Sequence, residues 1–116
     1  MNAFGVVSNY GVILDVDLSG AVPSASYFSN GLFYSYGCFN FLQSKSIVFN
    51  SMQEGDVMKI TLDWNQRKVH FDLNGTNLGS FEIARDFNKP LFVAVTLSAN
   101  CRCSFVSEKE YNNHKK

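Results

Sequence analysis

Most of this chain alternates apolar and polar side chains with a period of two. Between positions 56 and 64 (DVMKITLDW), one side of an extended backbone carries Met58, Ile60, Leu62 and Trp64. The segment Lys68–Leu73 (KVHFDL) alternates in the same way. No window of eleven residues offers a convincing apolar stripe of an amphipathic helix. The pattern therefore predicts an all-β protein whose strands each turn one face toward a core.

Turn-forming residues separate these strands. The polar run 65–67 predicts a hairpin between the first two strands. Asn74 and Gly75 follow the second strand and are the strongest short-range turn signal, because both residues tolerate positive φ. The segment 78–81 is then a short returning strand, and the three strands form an antiparallel meander.

The remaining segments complete the predicted domain. The nearly continuous apolar run 91–97 (LFVAVTL) predicts a central strand buried on both faces, and the alternation over 101–105 predicts a last strand. Further strands are expected over 4–7, 12–18 and 47–49. We predict one β-sandwich domain over residues 1–106, followed by a polar tail, 107–116, that frays.

Charge and cysteine content exclude several classes of function. Ten Lys and Arg balance ten Asp and Glu without a basic cluster, which argues against nucleic acid or an anionic membrane as a partner. Three cysteines, two of them one residue apart, do not form the disulfide framework of a small secreted domain. The N-terminal sequence has neither a basic region nor a long apolar run. We therefore expect a cytoplasmic protein.

One stretch has the composition of a binding surface. Residues 19–43 contain no charged residue and seven aromatic ones. Phe28, Phe39 and Phe41 are predicted to lie in the core. Tyr34 and Tyr36 are two residues apart and thus on one side of an extended segment, where they can present their hydroxyls at the surface. Tyrosine supplies contact area at a low entropy cost, so these two are candidate partner-binding residues.

An ordered set of short motifs resembles a SPRY domain. The motifs run in the order Glu54-Gly55-Asp56-Val57, Ile60-Thr61-Leu62-Asp63, Val69-His70-Phe71-Asp72-Leu73-Asn74-Gly75, Leu78-Gly79 and Pro90-Leu91-Phe92-Val93-Ala94-Val95. The resemblance implies a concanavalin-like jelly roll of two antiparallel sheets. It also implies a non-catalytic module that binds another protein through loops at one edge. In the family the loop between the last two strands borders this edge, and in this sequence that loop contains Ser98 and Asn100. The candidate partner-binding residues are therefore Tyr34 and Tyr36, with Phe33 beside them, and Ser98 and Asn100.

The sequence departs from the family at its start. SPRY domains begin with strands that include a Tyr-Trp-Glu-like segment, and no such segment precedes Phe4 here. Missing strands would leave sheet edges and apolar faces uncovered, which invites pairing with another chain. The chain is then a divergent minimal form, a fragment, or a domain completed by a partner, and self-association through uncovered edges is one possibility.

Residues with reactive side chains favour no catalytic or metal site. Cys101 and Cys103 share one side of the predicted last strand, but a single intervening residue is too few for the usual zinc knuckle, so two small core cysteines are expected. His70 is expected on the solvent side of its strand. We predict no enzyme, no cofactor and no metal.

Three alternatives stay open. The first is a carbohydrate-binding, lectin-like module, because aromatic side chains also stack on sugars. The second is a glycoside-active enzyme that uses the acidic pair Asp15 and Asp17. The third is a degenerate piece of a larger gene product with no function of its own.

Overall fold

The computed structural model describes residues 2–8, 23–42, 52–98 and 100–112. In this part of the chain the structure is almost entirely β. The elements are β1 (Ala3–Val7), β2 (Ser24–Phe28), β3 (Phe33–Tyr36), β4 (Phe39–Leu42), β5 (Met58–Asp63), β6 (Lys68–Leu73), β7 (Thr76–Ile83), β8 (Phe92–Thr96) and one short helix, α1 (Glu108–Asn112).

The strands form two antiparallel four-stranded sheets. The strand order is β3-β2-β1-β8 in the first sheet and β4-β7-β6-β5 in the second. Consecutive strands β3 and β4 lie in different sheets and are joined at Gly37, whose φ of 82° suits glycine. The predicted all-β, two-sheet sandwich is confirmed. In this arrangement β3 and β4 lie at one side of the sandwich, and β8 and β5 are the outer strands at the other.

Aromatic side chains fill the space between the sheets. The Phe33 ring of the first sheet contacts the rings of Phe71 and Phe81 in the second, with centroid distances of 5.5 and 5.8 Å. Both second-sheet residues are at most 1% exposed. Edge-to-face pairs of this kind add about 0.5–1.5 kcal/mol each beyond the area that they bury. The contacts of Phe33, in β3, with these two rings therefore help to hold the two sheets together.

The hairpins follow the predicted turn chemistry. Strands β5 and β6 pair from Met58 opposite Leu73 to Asp63 opposite Lys68, and residues 64–67 form the loop. Asn74 and Gly75 connect β6 to β7 with φ values of 51° and 90°, as the Asn-Gly signal predicts. Strand β7 is longer than the predicted segment 78–81. Its pairing with β6 is irregular between Phe71 and Asp72 of β6.

The prediction of a central, doubly buried strand over 91–97 was wrong. Within the described residues β8 pairs only with β1, and its side chains are exposed: Val93 by 57% and Val95 by 40%. The predicted last strand over 101–105 is also absent, because residues 101–107 adopt no regular structure and are all exposed.

The polar tail is ordered as far as Asn112, contrary to the predicted fraying. The hydroxyl of Ser107 accepts a hydrogen bond from the backbone N–H of Glu110 at 3.1 Å, which caps the start of α1. Tyr111 is only 5% exposed, and its hydroxyl accepts a hydrogen bond from the backbone N–H of Gly75 at 3.0 Å. The helix is thus attached to the β6–β7 turn.

Two core predictions need adjustment. Phe39 is buried between the sheets as expected, whereas Phe41 stays 39% exposed because β4 is an outer strand. Phe28 is buried in a second cluster with Ala3 and Val7, away from the core between the sheets.

Some predictions fall on other parts of the chain. The strands expected over 12–18 and 47–49, and the acidic pair Asp15 and Asp17, lie outside the described residues. Within residues 2–8, 23–42, 52–98 and 100–112, no helix has the length and apolar character needed to cross a membrane.

Candidate functional site

Tyr34 and Tyr36 lie together on the outward side of β3. Their side chains are 43% and 51% exposed, and the Tyr34 ring packs edge-on against Phe28 with a centroid distance of 4.7 Å. Their direct neighbours on β2 are Ser26 and Ser24, which are fully buried. Two half-exposed tyrosine rings therefore stand beside one another on a supported strand.

Strand β3 is also an outer strand of its sheet. Among the described residues it pairs with β2 alone. The outer edge of a sheet presents backbone N–H and C=O groups that can pair with an added strand. An extended peptide can hydrogen-bond to such an edge while its side chains contact residues of the strand. The tyrosines are thus placed where a bound segment would run.

Phe33 is separated from the two tyrosines. It belongs to the same strand, but period-two alternation turns it inward, where its ring lies 5.0 Å from those of Tyr27 and Phe41. Its contribution is to the packing that fixes β3. The structure does not bring Phe33 to the surface that carries Tyr34 and Tyr36.

Ser98 and Asn100 lie far from β3, across the first sheet. They follow β8, and β3 and β8 are the two outer strands of that sheet, three strand spacings or about 14 Å apart. The backbone N–H of Ser98 donates to the Asn2 side-chain oxygen at 2.7 Å, and the N–H of Cys101 donates to the Ser98 carbonyl at 3.1 Å. Asn100 has a φ of 67° in this turn. The predicted site residues therefore form two separate groups.

A cleft that the sequence did not predict opens between the sheets at β5 and β8. Its volume is about 940 Å³. Inward-facing side chains of both sheets line it, as do the loop before β5 and the segment 100–106 that follows β8; the apolar ones include Phe4, Met58, Ile60, Val93 and Val95. The named side chains of β5 are only partly buried, and those of β8 are exposed. The described residues therefore cover this part of the core face only incompletely.

The cleft has an acidic surround. Among the described residues that line it, Glu54, Asp56 and Glu110 are acidic and Arg102 is the one cation. Asp56 is fixed by two hydrogen bonds, accepting from the Gln53 backbone N–H at 2.8 Å and from the Asn74 side-chain amide at 2.9 Å. Apolar walls with a negative rim favour a ligand that is apolar and basic.

The cysteines and His70 offer no assembled reactive centre. Cys101 and Cys103 are exposed free thiols, which corrects the expectation that they are buried in a core strand. Burial raises the pKa of Cys38, and the nearby Asp86 carboxylate raises it further. His70 lies on the outer face of its sheet, and its Nδ1 is 2.6 Å from the Ser80 hydroxyl on β7. In the described part of the chain, no three His, Cys, Asp or Glu side chains are grouped to hold a metal ion.

The residues of the cleft could not be predicted from the sequence, because alternation tells which side of a strand faces the core but not whether another strand lies beside it.

Comparison with models of known protein families, with curated proteins and with solved structures finds no match. The resemblance to SPRY domains therefore remains a prediction from the ordered motifs.

Proposed function

We propose that this chain is a non-catalytic, SPRY-like interaction module of the cytosol that binds a short extended segment or loop of a partner protein. The observation that carries the proposal is the position of Tyr34 and Tyr36, half-exposed on one side of an outer strand. Interface hot spots are enriched in tyrosine, and an outer strand supplies backbone hydrogen bonds without selecting a side-chain sequence. The tyrosine rings then provide the selectivity.

The experiment begins with a peptide library, because the proposal concerns a class of ligand. A displayed library of random peptides is selected against the full chain, and enriched peptides are titrated by fluorescence anisotropy. Tyr34→Ala and Tyr36→Ala should each weaken binding by about 1–2 kcal/mol, which is roughly 5- to 30-fold in Kd. Trp64→Ala is the matched control, since Trp64 is a comparably exposed aromatic residue outside β3. Its variant should bind as the wild type does.

A second measurement tests the mode of binding. N-methylation at successive peptide positions removes one backbone donor at a time. Strand addition predicts that sensitivity alternates along the peptide, because every second N–H faces the partner strand. Equal loss of binding in the tyrosine variants and the Trp64 control would refute the proposal. Specific binding on a glycan array without any enriched peptide would favour the carbohydrate-binding alternative.

A further inference from the structure

The chain contains two Asn-Gly pairs, Asn30-Gly31 and Asn74-Gly75. Such a pair is reactive when its backbone can move, because glycine has no side chain to hinder attack by its own nitrogen on the preceding amide. In this reaction the glycine nitrogen forms a bond to Cγ of the asparagine, and the nitrogen's proton leaves with the side-chain amide group as ammonia. The product is a cyclic succinimide, which water opens to aspartate or isoaspartate.

Hydrogen bonds to the loop before β5 hold the Asn74 side chain in place. Its side-chain oxygen accepts from the Val57 N–H at 3.0 Å, and its side-chain nitrogen donates to the Asp56 carboxylate at 2.9 Å. The backbone N–H of Asn74 donates to the Val57 carbonyl at 2.9 Å. Reaction requires the side chain to turn toward Gly75, which breaks the first two bonds and leaves partly buried groups without their partners.

The C-terminal helix holds the attacking nitrogen. The backbone N–H of Gly75 donates to the Tyr111 hydroxyl at 3.0 Å, and Tyr111 is buried although Gly75 itself is exposed. Helix α1 has only five residues and lies near the C-terminus, so it can detach by local unfolding while the sandwich stays folded. Detachment removes the acceptor of the Gly75 N–H and opens this turn to water.

The other pair provides a reference within the same chain. Asn30 is exposed in the turn between β2 and β3, and its side-chain oxygen accepts a hydrogen bond from the Leu32 N–H at 3.2 Å. The Gly31 N–H donates to the Phe28 carbonyl at 2.8 Å, a bond within the turn that involves no residue of α1. The reaction rate at Asn30 should therefore not depend on the helix.

We propose that Asn74 is a modification site controlled by helix α1, stable while Tyr111 is in place and converted through the succinimide to aspartate or isoaspartate after the helix detaches. The product does not restore the closed state. It lacks the amide donor that the Asp56 carboxylate now accepts from, and two carboxylates at this distance repel each other. Isoaspartate also adds a carbon atom to the backbone of the β6–β7 turn. The modification thus makes a transient opening of the helix permanent.

The test is the rate of deamidation at each pair in the full chain, incubated in mildly alkaline buffer and followed by peptide mapping with mass spectrometry. Methylation by an isoaspartyl methyltransferase identifies the isoaspartate product. Asn74 in the folded wild type should react at least about tenfold more slowly than in the same chain unfolded in urea. Tyr111→Phe keeps the ring but removes the acceptor, so it should raise the Asn74 rate about fivefold. Tyr111→Ala should raise it further.

Two controls separate control by the helix from a general loss of structure. The rate at Asn30, measured in the same samples, should keep its wild-type value in both Tyr111 variants. Phe105→Ala replaces an exposed aromatic residue shortly before the helix and should leave both rates unchanged. If Tyr111→Ala fails to fold, Tyr111→Phe and the comparison of folded with unfolded wild type still test the proposal.

A second measurement tests the effect of the product. Asn74→Asp introduces the aspartate product directly and should accelerate tryptic cleavage at Lys109, because the altered turn holds α1 less firmly. Asn30→Asp makes the same chemical change at the reference pair and should leave that cleavage unchanged.

Three outcomes would overturn the proposal. The first is an Asn74 that reacts as fast in the folded wild type as in the unfolded chain. The second is an Asn74 rate that neither Tyr111 variant changes. The third is an equal acceleration at Asn30 and Asn74 in the Tyr111 variants, which would assign the effect to unfolding of the whole chain.

Discussion

Replacement of Tyr111 tests whether the end of the chain is part of the folded domain. The side chain is 5% exposed, its hydroxyl accepts a hydrogen bond from the Gly75 N–H at 3.0 Å, and the Lys59 ammonium lies 5.4 Å from its ring centroid. Tyr111→Phe keeps the ring but leaves the Gly75 N–H without its acceptor. A net hydrogen bond is worth about 0.5–1.5 kcal/mol, so the free energy of unfolding should fall by about 1 kcal/mol.

Tyr111→Ala removes the ring as well, and truncation of a buried aromatic residue costs about 3–5 kcal/mol in a fixed core. Here the loss of unfolding free energy should be smaller, because α1 is a five-residue helix near the C-terminus. Such a helix can detach while the sandwich stays folded. The loss cannot exceed the free energy of attaching the segment. Deletion of residues 107–116 should therefore destabilise the protein by at least as much as Tyr111→Ala.

Urea denaturation followed by circular dichroism measures these free energies, and tryptic cleavage at Lys109 measures detachment directly. Tyr111→Ala should accelerate that cleavage, whereas Tyr36→Ala, at a half-exposed tyrosine, is the control and should not. If Tyr111→Ala changes stability by less than the ~0.5 kcal/mol typical of surface substitutions, the tail frays as its polar sequence suggested and the reasoning is refuted.

Two further predictions concern the sandwich itself. Gly5→Ala should destabilise it by about 3 kcal/mol or more, because a Cβ there would overlap the backbone carbonyl oxygen of Ala25, whereas a Cβ at Gly79 meets only side-chain rings, Phe41 at 2.9 Å and Phe33 at 3.3 Å, and Gly79→Ala should cost less; equal urea midpoints for the two variants would contradict this. Burial raises the pKa of Cys38 and the pKa values of Tyr27 and Tyr111 above the ordinary values of a thiol and a phenol, so the folded chain keeps these protons where the unfolded chain releases them. Stability should therefore be complete at neutral pH and fall as the pH rises into the alkaline range, and Cys38→Ser should remove the part of this loss that sets in at the lower pH and leave the part due to the tyrosines, as measured by urea denaturation at successive pH values.

The sequence correctly predicted those elements that are determined by residues close together in the chain. Strand β6 was predicted with its observed bounds, because Val69, Phe71 and Leu73 alternate without interruption and Asn74-Gly75 ends the strand by its own conformational preference. The helix α1 was also encoded locally, since Ser107 and Glu110 have the spacing of a capping box, but five residues with no apolar stripe gave no periodic signal. Its position depends on Tyr111 reaching Gly75, a contact between residues 36 positions apart.

The positions of the candidate site residues could be predicted only in part, because some of them depend on strand order and not on spacing. Spacing placed Tyr34 and Tyr36 on one side of a strand, and the structure confirms that they share an exposed side. The same alternation places Phe33 on the side of the strand opposite Tyr34 and Tyr36, so its inclusion in the site did not follow from the spacing. It also could not show that Ser98 and Asn100 lie at the opposite edge of the sheet, since that depends on strand order.

The two errors about the C-terminal strands show what a hydrophobic pattern leaves undetermined. An apolar run such as 91–97 indicates a strand with neighbours on both sides, and the alternation of 101–106 indicates a strand with one buried face. Among the described residues β8 pairs with β1, and 101–106 forms no strand. The pattern reports which side chains can be buried, whereas the neighbour that buries them depends on strand order, which is a property of the whole fold.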